Sequence, residues 1–577
     1  MKLILKHLKN YKALLLLNVI SVFGFALVEL GIPTVIAVMI DKGVVTGDKG
    51  YLFRMGGIIA IISVLGAGGT ILLGYCCARI STLVTRDIRL EAFKKVQSLS
   101  HAEMNQLGVS SLITRTNNDA YQIMMFLNTI LKMALLTPVM IISSYILIIQ
   151  TSLSLSFIVL ATVPLVVGGV IIAAKISSPI SEKQQMSLDS INRIFRENLN
   201  GIRVIRSCNN NEYETSRFDT ENKFFMKQSK KLFCLMSTTE PIFFLLMNMA
   251  AIAIYYVSAK MIDANTIQVG RVVAFMDYLF HAMLSVMLFC MVFMMYPRAN
   301  VSAKRIMEVL NMESSIQNSP QVIEENKKES SIVFDDVTFA YPDGEEAVLK
   351  HISFEAKKGE TVAFIGSTGS GKSTLINLIP RFYDVNAGAI LINGVNIKEY
   401  DIEILRNKIG FVSQKATLFR GTIEENIRFG KEDATMEEII HAAKVAQAYD
   451  FIMEKPEGFK EMIVEGATNL SGGQKQRLSI ARALVRKPEI YIYDDSFSAL
   501  DFKTDATLRR QLKKEVKDSI MLIVAQRVST IMDATQIIVL DEGKVVGKGT
   551  HKELLQSCPI YYQIAASQLS EEEMQHE

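Results

Sequence analysis

The chain has 577 residues, 49% of them hydrophobic, and a formal net charge of +3 at pH 7. That length suggests several domains, at ~150 residues each, and so small a charge gives no footing for a nucleic-acid partner. Cys76, Cys77, Cys208, Cys234, Cys290 and Cys558 lie scattered without metal-ligand spacing, which argues against a disulfide framework.

The chain opens "MKLILKHLKNYKALLLL", basic and then apolar. The apolar stretch continues without a small-residue cleavage site, so it is a retained first membrane helix with its basic end in the cytoplasm. A helix needs ~20 apolar residues to span the hydrocarbon core. Segments 14–40, 55–80, 127–149, 153–176, 232–262 and 268–296 meet that test. The third and fourth are joined by a tight turn, as are the fifth and sixth. The connections after the second and fourth are long, polar and helix-forming, and carry Arg86, Arg89, Lys94 and Lys95, then Lys183, Arg193, Arg196, Arg203 and Arg206. Positive charge favours the cytoplasmic side, so both connections and both termini are expected there.

Ionisable side chains are costly inside a membrane, and Glu29, Glu240, Asp277 and His281 are therefore candidates for a cargo path, with Lys132 a further outlier. Asp277, His281 and Ser285 recur every fourth residue and share one helical face. Glu240 precedes Pro241, whose missing N–H loosens the fifth span. Met276, Met283, Met287, Met291, Met294 and Met295 enrich the sixth in flexible thioethers, which suit varied apolar shapes as well as ordinary packing.

From Asn311 to Ser331 the run "NMESSIQNSPQVIEENKKESS" is polar and reads as a linker, followed by alternating strand and helix patterns over 332–568 and a polar tail, 569–577. The expected organisation is a six-helix all-α membrane domain, 1–310, ahead of an α/β domain. In that second domain the strand "TVAFI" leads into Gly366, Ser367, Thr368, Gly369, Ser370, Gly371, Lys372, Ser373 and Thr374, a match to G-x-x-x-x-G-K-[ST]. Backbone N–H groups of such a loop cradle phosphates, Lys372 supplies charge to the β- and γ-phosphates, and Ser373 a hydroxyl to Mg2+. A second apolar strand, "IYIYDD", delivers Asp494 to the metal. Between them Ser471, Gly472, Gly473 and Gln474 open another helix with free N–H groups, a second anion site. Two such loops on one compact chain imply that two chains sandwich the nucleotide, each completing the other's site.

These motifs resemble those of an ABC half-transporter of the exporter type, over essentially the whole chain. The resemblance implies ATP and Mg2+ as cofactors, a membrane location, lipid surroundings and a small-molecule or peptide cargo. It makes Tyr341 the aromatic that stacks on adenine, Gln414 a sensor of Mg2+ and of the membrane domain, and "SALD", Ser498–Asp501, the loop that meets the partner. "GVSSLITRTNND" and "NNNEYETSRF" resemble the family's coupling regions.

Three positions depart from the family pattern. Asp495 stands where a glutamate ordinarily polarises the attacking water, Gln526 where a switch histidine stands, and "MIVEGATNL" lacks the usual Gly-Glu-Arg-Gly run. Asp495 and Gln526 are thus weakened catalytic residues, whereas Lys372, Ser373 and Asp494 are intact. The resemblance is to the degenerate-site subunit of a heterodimeric exporter, whose Leu470–Gln474 run completes its partner's site. A slow homodimer, an ATP-gated regulator or channel, and an importer of the same architecture are the alternatives.

Overall fold

The computed structural model of the protein describes residues 1–318 and 330–569, the side chains of 170, 290, 291, 293 and 294 excepted. Most of the expected linker, the tail from 570, and the side chains of Cys290, Met291 and Met294 lie outside the described residues. The chain divides into two units, 1–97 with 109–312, and 98–108 with 313–577.

In the first unit six helices are long and apolar enough to cross a membrane, and each expected segment lies on one of them. Lipid offers the backbone no hydrogen-bond partner, so an uncharged run becomes helix and satisfies its N–H and C=O groups internally. Ser152 alone separates Ala120–Thr151 from Leu153–Ser207; its extended backbone turns the chain and its hydroxyl accepts from Leu155 N–H. The polar connections are not loops but continuations of the spans. Lys49–Ser98 has 50 residues, Leu153–Ser207 has 55 and Asn211–Asp263 has 53. At ~1.5 Å per residue each reaches beyond ~75 Å, over twice the hydrocarbon thickness, so the charged halves protrude. Asn211–Asp263 continues through Pro241.

Large apolar side chains such as Ile61, Val64, Ile71, Ile142, Leu165 and Phe244 point outward along the spans, as a lipid-facing surface requires. At the N-terminus Lys6 and His7 each lie 2.7 Å from the Glu91 carboxylate, and Tyr11 donates to Asp87 at 2.6 Å. The basic N-terminal end is thereby tied to the charged extension of the second span. Among the described residues Cys76, Cys77, Cys208, Cys234 and Cys558 are free thiols.

The second unit holds two main sheets. In one, Ser331–Phe339 pairs antiparallel with Leu349–Lys357 and with Ala387–Ile392, and Val395–Asn396 closes the edge. In the other, five strands run parallel in the order Gln536–Asp541, Thr361–Gly366, Ile520–Val524, Ile490–Asp494, Ile409–Val412, with Lys544–Gly549 antiparallel at one edge. Ile490–Asp494 and Ile520–Val524 are buried throughout, the mark of central parallel strands. Alternate residues feed two cores: Phe364, Ile492 and Leu522 on one face, Ala363, Tyr493 and Ile523 on the other.

Ser98–Gly108 belongs to this unit although it directly follows a membrane span. Its helix His101–Leu107 begins with a capping box between Ser100 and Glu103. Glu103 also accepts from Ser315 N–H at 3.1 Å. The His101 ring stacks on Phe382 and meets Tyr383 edge-on, each at 6.1 Å, and Asn105 reaches the Tyr383 hydroxyl at 3.5 Å. The region 108–119, expected to couple the two domains, starts at Gly108, the last residue of this segment. Burial alone would raise the Glu103 carboxyl, but its bonds to Ser100 and Ser315 outweigh this and hold it below the usual 4.5. A depressed acid contributes stability above its unfolded value and loses it as pH falls through the folded one. Glu103→Ala removes the N3 half of the capping box and the acceptor for Ser315 N–H, and is expected to speed hydrogen exchange of residues 98–108 while leaving the central strands protected. Unchanged exchange there would show that the ring contacts alone hold the segment.

Candidate functional site

In a parallel sheet all strands deliver their C-terminal ends to one edge, so residues far apart in sequence meet there. Four strands do this here. Thr361–Gly366 leads into the phosphate loop, Ile490–Asp494 ends in the paired acids, Ile520–Val524 is followed by Gln526, and Ile409–Val412 by Gln414. Gly366 has no room for a side chain, since a Cβ would lie 2.0 Å from Leu540 O. Gly371 takes φ +95° immediately before the helix Lys372–Leu378, a left-handed turn suited to glycine.

Lys372 Nζ donates to Gly366 O at 2.9 Å, Ser367 O at 2.7 Å and Ser370 Oγ at 3.3 Å, which folds its ammonium over the loop. Burial pushes that ammonium's pKa down, opposed by the charges of Asp495 and Asp494. Ser373 Oγ donates to Asp494 Oδ1 at 3.0 Å. Tyr341 shares a 3.0 Å hydroxyl contact with Thr374 and packs edge-on against Tyr383 at 5.2 Å. Burial raises both acids above the usual carboxylate range; for Asp494 the neighbouring Asp495 adds to it.

Asp495 has the most crowded surroundings. Its N–H donates to Val524 O at 2.9 Å, and its backbone takes φ +45°, a left-handed conformation that aspartate tolerates better than most residues. One carboxylate oxygen, Oδ2, accepts from both Gln414 Nε2 at 3.1 Å and Gln526 Nε2 at 2.9 Å. Ser498 Oγ donates to its carbonyl at 2.8 Å. Two neutral amides thus converge on one short acid.

Ser373 Oγ and Asp494 offer oxygen donors only, and no group of three or more His, Cys, Asp or Glu among the described residues is arranged to hold a metal. Such a sparse oxygen set fits Mg2+, which takes one or two protein ligands and leaves the rest to phosphate and water. At the other loop Ser471 and Gln474 form a reciprocal capping box, with Ser471 N–H donating to Gln474 Oε1 at 2.9 Å, ahead of the 13-residue helix Gly472–Leu484. A Cβ at Gly473 would come 3.1 Å from Ala499 O, whereas one at Gly472 would meet nothing within 4 Å. The packed side of this turn faces the Ser498–Asp501 loop, and its open side is free to meet a ligand. Among the described residues no hydrogen bond joins the 366–374 loop to 471–474.

The description "ABC transporter transmembrane region" matches residues 15–306, and "ABC transporter" matches 349–498. An uncharacterized ABC transporter ATP-binding protein, YfiB of Bacillus subtilis strain 168, is 36% identical over 568 residues, covering 98% of each chain. The chain belongs to the ABC transporter family. It is an ABC transporter ATPase that carries its membrane and ATP-binding domains on one polypeptide, a half-transporter. The ATP-dependent lipid A-core flippase of Aliivibrio fischeri is 30% identical over 560 residues, 97% of this ABC transporter chain and 96% of its own. A bacterial Atm1-family ABC exporter solved with ATP bound shares the fold, with a TM-score of 0.79, 23% identity and 98% coverage of both chains.

In the membrane unit of this ABC transporter, Glu29 on the first span and His281 on the sixth approach to 3.4 Å. Thr34 and Tyr278 share a 2.6 Å hydroxyl contact between the same two helices. Asp277 and Glu240 are exposed on their helices, and Ser285 is buried. The four-residue spacing placed His281 with Asp277 and Ser285, but its acidic partner comes from another span. Tyr383 and His101 escaped notice in the sequence, because neither sits in a motif and each meets residues from a different element.

Proposed function

We propose that this chain is the degenerate-site half of a heterodimeric exporter, holding ATP firmly at its own phosphate loop and splitting it slowly. The observation that carries this reading is the Asp495 carboxylate, one methylene short and bound through one oxygen by Gln414 and Gln526. A general base must reach the water it polarises, and a displacement of about 1 Å can cost on the order of 10²-fold in rate. Gln526 donates a hydrogen bond but carries no charge and does not titrate near neutrality. The binding parts are undiminished: Lys372 for the phosphates, Ser373 and Asp494 for Mg2+, Tyr341 for the adenine face. When bound, Mg2+ supplies charge neutralisation between the β- and γ-phosphates.

The open face of Ser471–Gln474 serves the phosphate loop of a second half-transporter. Cleavage at that composite site drives the cycle, with a glutamate and a switch histidine contributed by the partner. Closure of two ATP-binding domains is transmitted through the docked helix His101–Leu107, whose neighbour Tyr383 touches Tyr341. The spans then reopen outward and release an amphipathic cargo. The lipid-handling relative at 30% identity supports a lipid-like cargo, and the Glu29–His281 pair marks where a polar group of it is met. Both termini lie in the cytoplasm, which the N-terminal contacts to Glu91 and Asp87 support.

The decisive substitution is Asp495→Glu. In the transporter assembled with its partner, with the partner's own site blocked by Gly472→Glu, it is expected to raise phosphate release by roughly 10²-fold without changing ATP affinity. An unaltered rate would mean that acid length does not limit this site.

A further inference from the structure

The loop that carries Gln526 is held from outside by a residue in none of the motifs. Helix Pro559–Ala566 is anchored in the core by Tyr561 and Ala565, both fully buried, and Tyr561 makes a 2.6 Å contact with His551. Just past its end the Gln568 side chain bridges the loop. Its Nε2 donates to Gln526 O at 2.9 Å, and its Oε1 accepts from Val528 N–H at 2.8 Å. Between those two points Arg527 lies 5.1 Å over the Phe502 ring and reaches Ser498 O at 3.4 Å. Val528 itself is fully buried. The backbone on both sides of Arg527 is therefore clamped by a single amide, and the direction in which Gln526 leaves it fixes the 2.9 Å bond to Asp495.

We infer that Gln568 is a positioning residue for phosphate cleavage at this chain's own ATP site, acting through Gln526. Both of its bonds go to backbone, so it aims the loop without touching nucleotide. Without it, a carbonyl and an amide lose their protein partners, and the Gln526 side chain samples directions that miss Asp495 Oδ2. This rests on the reading of Asp495 and Gln526 as the weakened catalytic pair. It adds that the C-terminal segment sets how well that pair is aligned.

The test is a double-substitution cycle on the transporter assembled with its partner, the partner's own site blocked by Gly472→Glu, following [γ-32P]ATP hydrolysis. Gln568→Ala is expected to lower kcat about threefold to tenfold with KM for ATP unchanged, in the same direction as Gln526→Ala. Added to Gln526→Ala, it is expected to change nothing further. Gln568→Glu keeps the acceptor for Val528 N–H but sets an oxygen against Gln526 O, and is expected to behave as Gln568→Ala with the melting temperature retained. An unchanged kcat, a loss of the same size with and without Gln526, or an effect on KM alone would each overturn the assignment. A brisk wild-type rate would instead count against the slow-site reading and leave the cycle readable.

Discussion

Gly472→Glu is expected to silence the assembled transporter while sparing this chain's own nucleotide. The position is the first of the helix Gly472–Leu484, and a side chain there enters open space, so the substitution does not disturb packing. It replaces an exposed N–H surface, favourable to anions, with a carboxylate that repels phosphate. Loss of one preorganised donor from an oxyanion hole costs about 10²- to 10³-fold in other enzymes, and a repelling charge beside a phosphate should cost at least as much. ATPase turnover of the complex purified from its native membrane measures it, beside labelling of each chain with a photoreactive ATP analogue. Retained turnover would mean that the Leu470–Gln474 run completes no catalytic site.

Lys372→Ala addresses the opposite face of the same arrangement and should abolish retention of ATP by this chain. The ammonium is already gathered over the loop by Gly366 O, Ser367 O and Ser370 Oγ, so little ordering remains to be done when phosphates arrive. Hydrogen bonds to charged groups contribute about 1.5–3 kcal/mol each. Losing the contact to the β- and γ-phosphates should therefore weaken binding on the order of 10²-fold. Fluorescence titration with a labelled ATP on the isolated chain reads this directly. Affinity within a factor of two of wild type would remove Lys372 from the site.

The six spans were legible because lipid permits only one backbone solution for a long uncharged run, and the phosphate loop because its glycines are fixed by close approach, as Gly366 is against Leu540 O. Asp495, Gln414 and Gln526 could each be named from the sequence. Their meeting on one oxygen could not, because it depends on strand order: Ile520–Val524 lies between the phosphate-loop strand and the acid strand. Local spacing likewise grouped His281 with its own helix, whereas helix packing supplied Glu29. The docked segment 98–108 was hidden for a related reason. It continues a membrane helix in sequence, and its contacts to Ser315, Phe382 and Tyr383 reveal which unit holds it.

Those contacts run from the docked segment to the phosphate loop. Tyr383 meets His101 on one side and Tyr341 on the other, and the Tyr341 hydroxyl meets Thr374 of the phosphate loop. On the proposed reading, ATP retained at this site keeps that series of rings in contact between turnovers.

The most direct measurement is ATP turnover by the purified full-length chain alone under saturating ATP and Mg2+. A gripping subunit binds ATP and releases phosphate only slowly. Fast, sustained hydrolysis by the wild-type chain without any second subunit contradicts it.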